Sequence, residues 1–213
     1  WNADAAKISA NLPERYGVTT VVDSMQALGL HVDKLRQQNA EHARDTALPA
    51  NESERLVSLH NSQVLNEAWL SRYQEQIQQA RSAFDTAYAQ ISWVDADWVY
   101  TPASTLLPLD AQTAQAGLPR AHTVCQYLVQ QNSALVIEDT LRDPRFADQQ
   151  EFDHQKVRFY AGVPLRDEDG MVLGSLCVMD NKPRDISAED LDLLQDMADD
   201  LMQTLQTKNK HTD

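Results

Sequence analysis

The chain opens on a helical rhythm. Val21, Met25, Leu28, Val32 and Leu35 are spaced 4, 3, 4 and 3, which places apolar side chains on one seam of a helix. Asn39 and His42 keep the spacing but are polar. The seam therefore reads as a helix laid on a neighbouring domain rather than a coiled coil, which needs about three or more heptads. Thr20 with Asp23 can cap its start, and Pro49 in Ala47-Leu48-Pro49-Ala50 breaks the run. Asn51 and Glu54 predict the start of a new helix. No Gly or Pro occurs from Asn51 to Thr101. Leu56, Leu59, then Trp69 or Leu70, Tyr73, Ile77, Ala80 and Phe84 recur at helical spacing and predict one or two amphipathic helices.

Near Asp85 the period falls to two. Ala87, Ala89, Ile91 and Trp93 alternate with Tyr88, Gln90, Ser92 and Val94, the signature of a strand. Asp95-Ala96-Asp97 is turn chemistry, and Trp98-Val99-Tyr100 begins the return strand of a hairpin. Residues 101–119 carry Pro102, Pro108, Gly117 and Pro119 and read as a loop. A short helix from about Arg120 to Gln131 follows, with Val124 and Leu128 inward, then a buried strand at Ala134-Leu135-Val136-Ile137. Asp143-Pro144-Arg145-Phe146 reads as a turn. Val157 to Leu165 and Met171 to Met179 read as two strands, and Asp169-Gly170 between them is a hairpin signal. Ser187 with Asp190 predicts the cap of a last helix. Its stripe is Leu191, Leu194, Met197, Ala198, Leu201, Met202 and Leu205, and Asp192, Asp196, Asp199 and Asp200 load the other face as a solvated surface.

Helix, hairpin, loop, helix, strand, hairpin and helix in that order describe an α+β domain with a central antiparallel sheet. No long βαβ alternation appears, so a dinucleotide-type parallel sheet is not expected. The 213 residues fit one domain with an appendage. We divide them into a helical extension, 1–50, a main domain, 51–207, and a polar tail, 208–213. Lys and Arg number 18 against 32 Asp and Glu, a net charge of −14, so no nucleic-acid or anionic-lipid surface is expected. No apolar run reaches the roughly 18 residues of a membrane span, and no signal peptide is visible. Two cysteines are too few for a disulfide scaffold and fit a reducing, cytoplasmic setting. The first residue, Trp1, reads as the start of a fragment or a processed chain.

The stretch Val157-Arg158-Phe159-Tyr160-Ala161-Gly162-Val163-Pro164-Leu165, then Asp169-Gly170, then Leu173-Gly174-Ser175-Leu176-Cys177-Val178-Met179-Asp180, resembles the closing half of a GAF domain. Asp143-Pro144-Arg145-Phe146-Ala147-Asp148 resembles the segment that precedes it in that family. Ile91 to Asp97 resembles the first strand and turn, and Glu54-Arg55-Leu56 with Leu59 the opening helix. The resemblance spans about residues 51–207. It implies a GAF-like central antiparallel sheet of about six strands flanked by helices, a pocket on one face, and dimers packed through terminal helices. It also implies a sensory or regulatory role in signal transduction, as the input part of a larger signalling protein and without catalysis of its own.

On that resemblance, Trp93, Tyr127, Phe146, Arg158, Phe159 and Tyr160 are candidate ligand-binding residues, because aromatic faces with a few polar groups suit a small-molecule site. The alternative for the aromatics is plain core. Alternation puts Arg158 and Tyr160 on one face of their strand, and Val157, Phe159 and Ala161 on the other. Family members that bind cyclic nucleotides carry an Asn-Lys and a downstream Phe with an Asp-Glu pair. Here Asn181-Lys182 follows the last strand, and Phe146 is followed by Gln149-Gln150-Glu151, so cyclic nucleotides are not expected. The tetrapyrrole-attaching branch has a Cys followed by His, whereas Cys125 is followed by Gln126.

A further branch reduces free methionine sulfoxide through cysteines, which makes Cys125 and Cys177 the residues of an enzymatic alternative. Cys177 lies in an apolar strand and Cys125 beside no activating cation, so both are expected to be unreactive. His122 and Cys125 share a helix face, with His154 the nearest third ligand, but two ligands do not make a metal site. No metal and no catalytic residue is assigned, and no cofactor is named. The expected partners are a small-molecule ligand and a second copy of the chain. A third reading is a dimerisation module whose pocket has collapsed around its aromatics.

Overall fold

The computed structural model describes residues 48–106, 117–120, 123–143 and 157–209. The extension 1–47, His122, Phe146 and His154 lie outside them. The described elements belong to a compact unit, Thr46–Asp213. They are α1 (Glu52–Asn61), a 3-10 turn (Glu67–Trp69), α2 (Leu70–Ala83), β1 (Tyr88–Val94), β2 (Trp98–Ser104), β3 (Leu118–Pro119), α3 (Cys125–Gln131), β4 (Leu135–Ile137), β5 (Phe159–Arg166), β6 (Val172–Asp180) and α4 (Ala188–Asn209). Six strands form one sheet in the order β3-β2-β1-β6-β5-β4, with every neighbouring pair antiparallel. This is the α+β sheet that the sequence predicts.

The two faces of the sheet are covered differently. On one, Tyr73, Ile77 and Ala80 of α2 and Leu194, Ala198, Leu201, Met202 and Leu205 of α4 meet Ala89, Ile91, Trp93, Phe159, Ala161, Val163 and Val178. The helical stripes read from the sequence are the buried ones, because only side chains three and four apart share a helix face. Tyr73 and Trp93 pack tilted, with ring centroids 5.9 Å apart. On the other face, Val124 and Leu128 at α3 pack over Leu135, Ile137, Tyr160, Cys177 and Met179.

Several local expectations are corrected. Asn51 makes no side-chain cap at α1; its amide donates instead to the Met171 sulfur. The segment 101–119 is not all loop. β2 runs on to Ser104, and Leu118–Pro119 pairs with Trp98 and Val99 as an edge strand. Ile91 opposes Ala103 while Trp93 opposes Tyr100, so Thr101 and Pro102 together face Ser92. That is a β-bulge, and a bulge is where a strand tolerates the missing N–H of Pro102. The helix expected from about Arg120 begins at Cys125. Val157 lies in the cluster with Tyr160 rather than on the face of Phe159, because it precedes the strand and its carbonyl accepts from the Thr140 hydroxyl.

Other local readings hold. Ser187 Oγ accepts from Asp190 N–H at 3.0 Å, capping α4. Gly170 turns the β5–β6 hairpin at φ +78°, a conformation that costs glycine nothing. Arg184 closes the far end of α2 by donating to the carbonyls of Phe84 and Asp85 and to Asp180. A cation is favourable at that helix end.

Candidate functional site

The α3-covered face carries the chemistry. Alternation along β1 points Tyr88, Gln90 and Ser92 to this side, with Tyr88 packed against the Tyr160 cluster. Gln90 Nε2 donates to Ser92 Oγ at 2.9 Å, Ser104 Oγ donates to Gln90 Oε1 at 3.0 Å, and Leu106 N–H donates to Ser104 Oγ at 3.2 Å. Ser92 lies opposite Ser175 of β6, and both are fully buried. Thr101, two residues beyond Val99 on β2, has a buried hydroxyl with no protein partner. Cys177 Sγ approaches the Gln90 carbonyl at 3.6 Å.

Tyr160 is the centre of this surface. Gly162, two residues along β5, gives its ring room: a Cβ there would stand 2.5 Å from the Tyr160 hydroxyl. Burial pushes the Tyr160 phenol well above its ordinary 10.0, and the neighbouring Cys177 and Cys125 sulfurs push it further. The phenol therefore stays protonated. It is a neutral donor and acceptor set among hydroxyls, an amide and two thiols. The strip offers no buried cation or anion, so it suits an uncharged polar group rather than a phosphate or carboxylate.

The six residues singled out in the sequence do not converge. Tyr160 and Tyr127 share the α3 face, Tyr127 half-buried against the Tyr160 cluster. Trp93 and Phe159 sit on the opposite face among the α2 and α4 side chains. Arg158 is engaged by Asp139 through two hydrogen bonds, 3.0 and 2.9 Å, at the strand margin. Phe146 lies outside the described residues. A cleft of about 870 Å³ opens at the β4 edge, lined by Glu138, Asp139, Arg142, Asp143, Arg184 and Asp185 among others. Arg158 and Asp180 already pair with its Asp139 and Arg184, and none of the five described candidates lines it.

Gln90, Ser92, Ser104 and Ser175 were missed by the sequence reading, which looked for aromatics. Their signal is weak but present: small polar residues at the strand positions that alternate with Ile91, Trp93 and Leu176. Neither cysteine is in a disulfide, and both are buried. Among the described residues no group of three or more His, Cys, Asp or Glu is placed to hold a metal ion, and no helix is long and apolar enough to cross a membrane.

Comparison with known proteins fits this architecture. The chain is 32% identical over 161 residues, 75% of its length, to a cyclic di-GMP phosphodiesterase from Pseudomonas aeruginosa. The match spans only 26% of that relative. Among solved structures, the GAF domain of an Acinetobacter phosphoenolpyruvate-protein phosphotransferase superposes with a TM-score of 0.55 at 15% identity, covering 75% of this chain and 97% of that one. A type II free methionine-R-sulfoxide reductase from Thermoplasma acidophilum superposes at 0.54 with 16% identity, covering 66% and 94%. At these identities the structural likeness shows the fold alone. The GAF domain model itself matches residues 69–205, well over half of the chain, which therefore belongs to the GAF domain family.

Proposed function

We propose that this chain is a sensory GAF domain that binds an uncharged polar small molecule between α3 and the sheet. The observation that carries the reading is the strip of Gln90, Ser92, Ser104, Ser175 and Tyr160 on one face of an otherwise apolar sheet. Burying hydroxyls and an amide is costly unless hydrogen bonds compensate. Binding acts as a signal when the ligand prefers one arrangement of the terminal helices over another. We place the readout in α1 and α4, through dimerisation, toward an attached output of the kind named for the Pseudomonas relative, cyclic di-GMP hydrolysis.

Native mass spectrometry of the purified protein, beside light scattering for its oligomeric state, tests this reading. The expected result is a dimer carrying a small molecule that is lost in Ser175→Ala and Tyr160→Phe. A ligand-free protein that binds nothing from a panel of neutral metabolites overturns it.

A second reading, reduction of free methionine sulfoxide, draws on the two cysteines: both sulfurs act on the same Tyr160 hydroxyl. A thiolate would attack the sulfur of the protonated sulfoxide, releasing methionine and leaving a sulfenic acid on that cysteine, and the second thiol would displace water from the sulfenic acid as a disulfide forms. Turnover with a dithiol reductant that vanishes in Cys125→Ser and Cys177→Ser would favour this reading over the first.

A further inference from the structure

The stripe that α1 buries contains a charge. Arg55 lies one turn before Leu59 on the same face, and both are 1% exposed. Its guanidinium is fully employed. Nε and Nη2 fork onto the Glu52 carboxylate at 2.8 and 2.8 Å, and Nη1 donates to the carbonyls of Val94 at 2.7 Å and Val172 at 3.3 Å. Arg120 reaches the same carboxylate from the opposite direction. It is 6% exposed, and its Nη1 also donates to the carbonyls of Asp95 at 3.0 Å and Ala96 at 3.4 Å. Its backbone N–H donates to Asp97 O at 2.9 Å. Four successive carbonyls of the β1–β2 turn, Val94 to Asp97, are thus covered by two arginines that share one glutamate.

Arg120 is tied forward as well. Thr123 donates to its carbonyl through both N–H and hydroxyl, each at 3.0 Å, and α3 begins two residues later at Cys125. Glu52 is the first residue of α1. One half-buried carboxylate therefore joins the start of the helix over the binding face to the start of the helix at the domain's opening.

We propose that Glu52, shared by Arg55 and Arg120, is the joint that couples α3 to α1 and so passes the state of the binding face to a terminal helix. Its regulatory meaning rests on the binding reading above. Removing Glu52 leaves two buried guanidiniums without a counter-charge, and removing Arg120 frees the start of α3 while Glu52 stays paired with Arg55, so the joint has two discrete conditions, made and broken, as a switching element requires. A ligand that draws the α3 entrance inward must carry α1 with it or break the triad.

Hydrogen–deuterium exchange of the full chain, free of added ligand, tests the joint. In Arg120→Ala, amide exchange over residues 55–61 is expected to rise by about tenfold or more. In Glu52→Gln it rises comparably over residues 125–131. β5 and β6 keep their protection in both, and Arg120→Lys, which keeps charge but not the fork, falls between Arg120→Ala and wild type. The double variant Glu52→Gln/Arg120→Ala is expected to match the more affected single variant, as for residues acting as one unit. Exchange changes confined to the segment substituted, an equal rise in every element, or additive single effects each overturn the proposal. Failure of the binding reading alone has its own signature: no small molecule in native mass spectrometry while the exchange coupling persists.

Discussion

Trp93 and Tyr160 are both buried aromatics of the central strands, and a glycine makes room for each, but they face opposite sides of the sheet. Trp93 lies over Gly174, its register partner on β6. A Cβ at Gly174 would stand 2.0 Å from the Ser92 carbonyl oxygen and 2.8 Å from Trp93 Cε3. Tyr160 lies over Gly162, where the nearest atom to a new Cβ is its own hydroxyl. The first fit is enforced by backbone and the second by the end of a side chain. The α2–α4 face is thus a close-packed wall with no freedom to adapt. The α3 face carries a polar strip within an apolar cluster, and what crowds Gly162 there is a side-chain ring rather than backbone. On the proposed reading, stability and recognition are divided between the two sides of one sheet.

The sharpest way to break this division is Gly174→Ala. The carbonyl of Ser92 belongs to the β1–β6 ladder and cannot retreat without tearing pairing, so about 3 kcal/mol or more of stability should be lost. Equilibrium urea denaturation reads it as a lowered midpoint. A loss under about 1 kcal/mol would show that the wall is softer than its geometry.

Glu52 comes next, because it ties the two sides together. Removing a partner from a buried ion cluster costs about 3 kcal/mol, expected for Glu52→Ala in the same assay. Burial alone would raise the Glu52 carboxyl, but the hydrogen bonds and charges of Arg55 and Arg120 outweigh it and hold the group below its ordinary 4.5. The folded state then binds fewer protons than the unfolded one. The stabilisation is complete above pH 4.5 and is lost as pH falls through the lowered folded value. Glu52→Gln should flatten that acid limb of the stability curve, and an unchanged limb would remove the ion cluster from the account.

How far this was legible in the sequence differs between the faces for the same reason. The α2–α4 face is mainly apolar, so periodicity exposes most of it: Tyr73, Ile77 and Ala80 in helical spacing, and Ile91 and Trp93 in strand spacing, all meet in one core, though the buried Gln76 amide that donates to the Met197 carbonyl does not show in that pattern. The β5–β6 hairpin was readable from Asp169-Gly170. The α3 face is written in serines, a glutamine and a tyrosine, which have no period distinguishing them from solvated positions. Only the register that sets Ser92 opposite Ser175 reveals them. Trp93 and Phe159 attracted attention as site residues through size, yet size is what the core selects. The stripe predicted on α1 is Leu56 and Leu59, whereas the structure buries Arg55 with Leu59. Nor was the link from Arg55 to Arg120, 65 positions away, legible, since nothing local joins them. The extra length of β2 was hidden by Pro102, which the bulge accommodates.

Gly162→Ala is the milder counterpart of Gly174→Ala. Its new methyl meets a ring that can rotate, so stability should fall by only about 1 kcal/mol. The displaced Tyr160 should nevertheless lower the fraction of protein carrying a small molecule in native mass spectrometry. A stability loss equal to that of Gly174→Ala would erase the distinction between the faces.

The finest comparison uses two phenols. Burial raises Tyr73 above its ordinary 10.0, and Tyr160 is raised by burial and by its cysteine neighbours. Both folded-state values lie above the unfolded one, so each contribution is complete below pH 10.0 and is lost as pH rises beyond it. Tyr73→Phe and Tyr160→Phe should each blunt the alkaline fall in stability. At neutral pH they should differ. Tyr73 donates to the Val64 carbonyl at 2.6 Å inside the wall, so its loss orphans a buried acceptor and costs about 2 kcal/mol. Tyr160 stands among hydroxyls and thiols that can re-pair, and its loss should cost about 1 kcal/mol or less. Urea midpoints at pH 7 and at alkaline pH read both quantities. If Tyr160→Phe proves the more destabilising at neutral pH, the α3 face is a second wall, and its polar strip serves the fold rather than a ligand.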